Sequence, residues 1–250
     1  MTSMKTAVKK VIASNGVLRF LFVKFQNVRR RVFDKNALEL SEIAKTQGHE
    51  SVFDYIYKKK FWQSAESVSG WGSTLEITKQ LRPKLEKLLQ DLQVKSFLDV
   101  PCGDFNWMKE INFGDAKYIG GDIVKDLVTD LNQKYASDKR SFIHLDVATG
   151  KLPDVDMIFI RDCFIHLNNG LVTKALQNIA GSNIKFFVST HAPGIPLNAE
   201  IETGQFRDIN FTKAPFNLPE PMMVINEGCT DPLLRDKSLG VWKISDIQKR

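Results

Sequence analysis

Acidic side chains recur through the middle of the sequence, each at or near the end of a short apolar run. Asp99 lies in the run Ser96–Val100, Asp122 in Tyr118–Val124, Asp146 in Phe142–Val147 and Asp162 in Met157–Cys163. A fifth run, Ile184–Thr190, is followed by His191. Ionised carboxylates only accept hydrogen bonds, so such a set suits hydroxyls, amino groups and cations and repels phosphate. The turn after the first run, Asp99-Val100-Pro101-Cys102-Gly103-Asp104, is bracketed by two acids. It carries no G-x-G-x-x-G, and the chain has no G-K-[ST], so a pyrophosphate or a triphosphate finds no cradle. Asp122 stands 23 positions after Asp99, where a sugar-binding acid belongs; the alternative is a cap on the next helix. Asp146 is placed to accept from an adenine amino group, with the backbone N–H of Val147 as donor.

These runs need elements to hold them. Short segments rich in Val, Ile and Phe, separated by helix-like stretches at 105–112, 125–135 and 169–180, predict βαβ units and a doubly wound parallel sheet. Ligands of such sheets lie at the carboxyl ends of the strands, where the acids stand. Met222–Asn226 and Val241–Ile244 read as a terminal antiparallel pair. Upstream, residues 36–72 read as helix and loop with aromatic anchors. A helical stretch from Leu75 to Leu92 is broken or restarted by Pro83, which fits only a first turn.

An ammonium, a ribose and an adenine together describe S-adenosylmethionine. Phe97–Asp104, Gly121-Asp122, Leu145-Asp146-Val147 and Phe159–Leu167, in that order, resemble the successive motifs of class I S-adenosylmethionine-dependent methyltransferases over roughly residues 95–191. The D-x-P-C-G-D-F-x-W form from Asp99 to Trp107 resembles a little-characterised branch. Where the family has Asp/Glu-x-Gly-x-Gly, Pro101 replaces the first glycine; it fixes φ and removes an N–H, so this backbone meets a cofactor differently. The resemblance implies an α/β fold with a mostly parallel seven-stranded sheet, its last strand antiparallel, and methyl transfer by in-line attack. Asp99 and Gly103 fall at the amino-acid end of the cofactor, Asp122 at the ribose, and Asp146 and Val147 at the adenine. Pro101, Cys102, Asp104, Ile123 and Arg161 are further cofactor-binding candidates. Asp104 is equally readable as a helix cap. Trp71, in a glycine- and serine-rich loop, either closes over the cofactor or is ordinary loop.

A sulfonium is already activated, so positioning carries much of the rate. A hydroxyl acceptor adds the need for a base. His166 and His191 are the candidates, each expected to titrate near neutrality, with a purely structural hydrogen bond as the alternative. Asp162 either orients the acceptor or pairs with Arg161. Residues 192–221 form an acceptor-side insertion, in which Asn198, Arg207 and Asn210 are the candidates to hold a small polar or glycan-like acceptor; the alternative is a surface loop. No cluster has metal-ligand spacing. The expected activity is methyl transfer to oxygen. Methylation of nitrogen, on a small molecule or a protein, is the alternative; the Asn/Asp-Pro-Pro-Phe/Tyr run common among such enzymes is absent after the fourth strand. A non-catalytic module would not need acids at four strand ends, and a nicotinamide oxidoreductase would need the missing glycines.

The chain has 250 residues, 43% of them apolar, enough for one large domain with an appendage, and a net charge of +6. That charge is uneven. Residues 1–35 hold nine basic groups and one acid, a charge of +8, which leaves −2 for the remainder. The expected division is a basic helical arm and cap over 1–72 and a catalytic domain over 73–250. Within the arm, Val17–Phe25 is too short to span a bilayer and lacks a signal-cleavage pattern. Leu18, Leu21, Phe22, Phe25 and Val28 recur at helical spacing, with Arg29, Arg30 and Arg31 beyond. One reading is a helix packed on the domain with its lysines in water. The other is peripheral contact of residues 1–31 with an anionic membrane. Nucleic-acid binding ranks last, because no basic stripe continues into the body. Three cysteines, too few for a disulfide framework, point to a reducing cytoplasmic setting.

Overall fold

The computed structural model describes residues 11–12, 14–33 and 35–248. Lys5, Val8, Lys9, Lys10 and Asp34 of the basic arm lie outside them, as do the side chains of Arg30 and Arg31. The strands are β1 (Ser96–Asp99), β2 (Lys117–Asp122), β3 (Arg140–His144), β4 (Met157–Ile160), β5 (Phe186–His191), β6 (Met223–Asn226) and β7 (Ser238–Lys243). They form one sheet in the order β3-β2-β1-β4-β5-β7-β6. β1 to β5 pair in parallel, β7 is antiparallel to β5, and β6 is antiparallel to β7 and so runs with the parallel set. The helices are α1 (Gly16–Phe33), α2 (Lys35–Thr46), α3 (His49–Lys58), α4 (Leu75–Thr78), α5 (Leu81–Asp91), α6 (Lys125–Tyr135), α7 (Asn169–Ala180) and α8 (Ile244–Ile247). The expected α/β class, seven strands and reversed last strand are all present.

Side-chain alternation explains why the sheet needs helices on both faces. Along β4, Met157 and Phe159 point into one core layer and Ile158 and Ile160 into the other. Phe97 and Leu98 divide in the same way on β1, as do Val188 and Phe187 on β5. One layer is completed by Leu81, Leu85, Leu88 and Leu89 of α5 with Leu127, Val128 and Leu131 of α6; the other by Val172, Ala175, Leu176 and Ile179 of α7. A strand buried on both faces must be apolar throughout, which is why Met-Ile-Phe-Ile shows no alternation in sequence. Each buried Leu, Ile or Phe contributes about 1.5–3 kcal/mol of transfer free energy.

Some local expectations are corrected. The helix-like stretch at 105–112 forms only a 3-10 turn, Met108–Glu110. Phe105 adopts φ 59°, a left-handed conformation that cannot start a helix, and its ring is buried against Tyr118, Tyr135 and Phe142. β7 starts at Ser238, before the expected Val241, and Ile244 opens α8 instead of ending the strand. The other expected bounds, 125–135 and 169–180, coincide with α6 and α7. Asn168 caps α7, accepting from the N–H of Leu171 at 2.8 Å. Pro83 is the third residue of α5, within its first turn.

Helix α1 lies on the body with Arg19 and Asn27 inward, beside half-buried Phe20 and Val23. Arg19, 3% exposed, pairs with Asp208 and Asp236, and the amide of buried Asn27 donates to the Phe206 carbonyl at 2.7 Å. Leu18, Leu21, Phe25 and Val28 face out. Among the described residues, no helix is long and apolar enough to cross a membrane.

Candidate active site

A cavity of about 390 Å³ opens at the carboxyl ends of β1 to β5. That volume lies within the range of small-molecule sites, ~300–1,000 Å³. The sheet brings Asp99, Asp122 and Asp146 to its wall, with Pro101, Cys102, Gly103, Asp104, Ile123, Val147, Arg161, Asp162 and His166. Trp71 also lines it, with its side chain half in solvent.

The β1 turn is tight. Val100-Pro101 is a cis peptide, and Gly103 has φ 54°. A Cβ on Gly103 would lie 2.1 Å from Ser69 Oγ, so glycine is required for both conformation and space. The Gly103 N–H donates to Asp122 Oδ2 at 3.1 Å, and the Val124 N–H donates to Oδ1 at 3.0 Å. Asp122 therefore does not cap α6, whose N-cap is Val124. Each of its oxygens keeps capacity for a further donor. Burial raises its pKa to about 6, partly opposed by those two N–H groups. Asp99 accepts from Tyr118 Oη at 2.8 Å, and burial raises it to about 8 despite that bond. A cationic group beside it would compensate the buried charge.

Asp104 is neither free nor a helix cap. Its carboxylate accepts from Ser67 Oγ at 2.9 Å, the Val68 N–H at 2.8 Å and Ser69 Oγ at 3.3 Å, and so holds the 64–73 loop over the β1 turn. Asp146 is similarly engaged. It accepts from Thr149 Oγ1 at 2.6 Å and the Ala148 N–H at 2.9 Å, and meets His49 Nε2 at 3.0 Å. Burial works against its charge, but these partners hold its pKa down at about 2. His49, at the start of α3, gives no sign of this contact in the sequence because it is 97 residues away.

At the end of β4 lies a buried ion-pair network. Arg161 donates to Glu227 through Nε and Nη2, the latter at 2.7 Å, and to the Gly72 carbonyl through Nη1 at 3.0 Å. Lys237 Nζ meets Asp162 Oδ2 at 2.5 Å and Glu227 at 3.5 Å, and Arg161 lies 3.2 Å from Asp162. Burial opposes both charges, yet Asp162 and Glu227 keep Arg161 protonated, and Arg161 and Lys237 hold Asp162 well below the usual carboxylate range. The expected Arg161–Asp162 pair exists, enlarged by two residues from the far end of the chain. Asp162 adopts φ 56°, a left-handed conformation that Asp tolerates better than most residues.

The histidines part company. His166 lines the cavity between Trp62 and Phe206, with ring centroids at 5.4 and 6.0 Å. Its Nδ1 lies 2.9 Å from the Gln205 carbonyl, which can only accept, so Nδ1 carries the proton and Nε2 is the basic nitrogen. Burial lowers its pKa, which keeps the ring neutral at pH 7. His191 is a correction. It is 1% exposed, stacked on Phe211 and edge-on to Trp242, and its Nδ1 accepts the Phe211 N–H at 3.3 Å. It does not line the cavity, and burial lowers its pKa to about 4, away from neutrality.

The three expected acceptor residues are likewise corrected, because none lines the cavity. Arg207 is fully buried and donates to the carbonyls of Ala199, Phe164 and Leu167 and to Asn169 Oδ1. Asn198 accepts the Asn210 N–H and donates to the carbonyls of Asn210, Lys213 and Ala214. Asn210 donates to those of Pro193 and Ile195. A strand-free segment leaves many backbone carbonyls without ladder partners, and these three side chains satisfy them. The insertion reaches the cavity instead through Ala192, Phe206, Asp208 and Ile209. Leu234 and Lys237 approach from before β7, and Phe53, Tyr57 and Trp62 from the N-terminal segment.

No family model matches the sequence, and no curated protein matches it. Among solved structures, PigF with SAH aligns over 86% of this chain and 64% of its own, at a TM-score of 0.51 and 14% identity. This chain therefore spans less than two thirds of PigF. Human N-acetylserotonin methyltransferase in complex with SAM aligns over 80% of this chain and 68% of its own, with TM-score 0.47 and 10% identity. Magnesium protoporphyrin IX methyltransferase from Synechocystis PCC 6803 with bound SAM aligns over 84% and 97%, with TM-score 0.47 and 13% identity. At such identities the PigF match establishes a shared fold.

Proposed function

We propose that the chain is an S-adenosylmethionine-dependent methyltransferase acting on a small acceptor, at oxygen. The observation that carries this reading is the row of carboxylates at the ends of β1, β2 and β3 on one cavity wall, with no phosphate cradle between them. Asp99 would take the cofactor's ammonium, Asp122 its ribose hydroxyls, and Asp146 with the Val147 N–H its adenine. The shared fold with PigF, described with SAH, supports the same ligand class. We assign the catalytic domain to residues 73–250 and the cap to 1–72, which adds His49, Phe53, Tyr57, Trp62 and Trp71 to the wall.

The cofactor supplies an electrophilic methyl group. The chain's contribution is to hold the acceptor in line and take its proton. In that transfer the acceptor oxygen would bond to the methyl carbon as the carbon–sulfur bond breaks, its electron pair staying on sulfur, and the hydroxyl proton would pass to His166 Nε2, a neutral base fixed in this tautomer by the Gln205 carbonyl. Trp62, Ile165, Phe206 and Ile209 make the acceptor side largely apolar and exclude water. The free cysteines Cys102, Cys163 and Cys229 accord with a reducing cytoplasmic setting.

Isothermal titration with S-adenosylmethionine, its demethylated product and NAD tests the assignment. The first two should bind saturably and NAD should not. A folded protein that binds neither of the first two refutes it. Turnover of amine acceptors alone, in a panel of hydroxyl and amine compounds, would move the reaction to nitrogen.

A further inference from the structure

Helix α1 turns an apolar arc to solvent while polar groups anchor its inward side, beside half-buried Phe20 and Val23. At about 100° per residue, Val17, Val28, Leu21, Phe25 and Leu18 fill one arc of about 100°, with Lys24 and Arg29 about 20° beyond its two edges. All seven are exposed, the five apolar residues at 53%, 51%, 52%, 67% and 42%. The opposite side holds Arg19 and Asn27, fixed to Asp208, Asp236 and the Phe206 carbonyl. These bonds orient the helix, so the apolar arc cannot roll inward without breaking two buried ion pairs.

We infer that this outward face is a docking surface for an anionic lipid membrane. An apolar sector bordered by basic side chains matches the boundary between acyl chains and anionic headgroups. Charge selects the occupant. The first 35 residues carry nine basic groups against one acid, so two such faces from two copies repel each other, whereas an anionic bilayer attracts both the arc's borders and the preceding lysines. The length fits as well: 18 residues give about 27 Å of helix lying in the interface plane. The helix adjoins the cavity, because Phe206 and Asp208, which hold its inward side, also line the pocket.

The test uses the full chain and vesicles of phosphatidylcholine, with and without phosphatidylserine. Wild type should co-sediment with the anionic vesicles and far less with the neutral ones. Leu21→Glu/Phe25→Glu should lower the partition coefficient at least tenfold, and Lys24→Glu/Arg29→Glu should lower it on anionic vesicles only. These side chains point into solvent, and circular dichroism with a thermal melt confirms that each variant is folded. Equal sedimentation of wild type and the Leu21/Phe25 variant overturns the proposal. So does wild type that stays in the supernatant, or a wild-type dimer in analytical ultracentrifugation that the same variant abolishes. None of these outcomes depends on S-adenosylmethionine binding.

Discussion

Asp122→Asn isolates the contact on which the ribose assignment rests. The substitution keeps the shape and removes the charge. It also sets an NH2 group against the N–H of Gly103 or of Val124, which now donate at 3.1 and 3.0 Å to the two carboxylate oxygens. A hydrogen bond to a charged group contributes about 1.5–3 kcal/mol, so loss of one ribose contact weakens binding roughly tenfold to a hundredfold. The pH profile adds a second signature. Burial raises the Asp122 carboxyl to about 6, and hydroxyl donors favour its ionised form. Affinity should therefore be flat above about pH 7 and fall by up to tenfold per unit below about 6. Adenosine is the probe, because it lacks the ammonium that would engage Asp99. Asp146, held at about 2, stays ionised throughout. Titration calorimetry from pH 5 to 8 reads both effects, with circular dichroism as the check on folding. The variant should bind adenosine weakly and with no inflection near 6. The reasoning fails if the folded variant binds within twofold of wild type, or if wild-type affinity is constant over that range.

Two other perturbations follow from the same wall. Asp99 has a folded pKa of about 8 against an ordinary 3.8, so folding takes up a proton between those values and stability falls as pH rises through that window. The slope is up to ~1.4 kcal/mol per unit. In urea unfolding between pH 6.5 and 7.5, above the Asp122 step, Asp99→Asn should lose this slope, and an unchanged slope would refute it. Asp104→Ala removes the carboxylate that holds Ser67, Val68 and Ser69, which should ease opening of the 64–73 loop by roughly 1.5–3 kcal/mol. Faster amide exchange confined to that loop, with the sheet unchanged, is the expected result; protection equal to wild type would show that other contacts hold it.

What the sequence made legible was whatever depends on nearest neighbours and period. The five parallel strands, α6 and α7 are all local patterns, and each appears within three residues of its expected bounds, with Asp146 and Asp162 two residues past β3 and β4. Long-range partners were not legible. Nothing near Asp146 points to His49, and nothing near Arg161 points to Glu227. Polar residues in a loop have two uses that look the same in sequence, holding a ligand or satisfying backbone. Asn198, Arg207 and Asn210 do the second, and the cavity takes Phe206, Asp208 and Ile209 from the same segment. The periodicity of α1 revealed its apolar stripe but not its direction, which Arg19 and Asn27 set.

The ion-pair network bears on the order in which the site is made during synthesis. Arg161 leaves the ribosome 66 residues ahead of Glu227, and Asp162 75 residues ahead of Lys237. β7, which follows Lys237, is also the strand that covers the open edge of β5. Until residues 227–243 emerge, the nascent domain holds Arg161 on the pocket wall with Asp162 but without Glu227, and a sheet edge without its neighbour. A stalled or clipped chain that ends before residue 227 has every strand-end acid and no settled pocket. Settling of the pocket wall at Arg161 thus waits on residues 227–243.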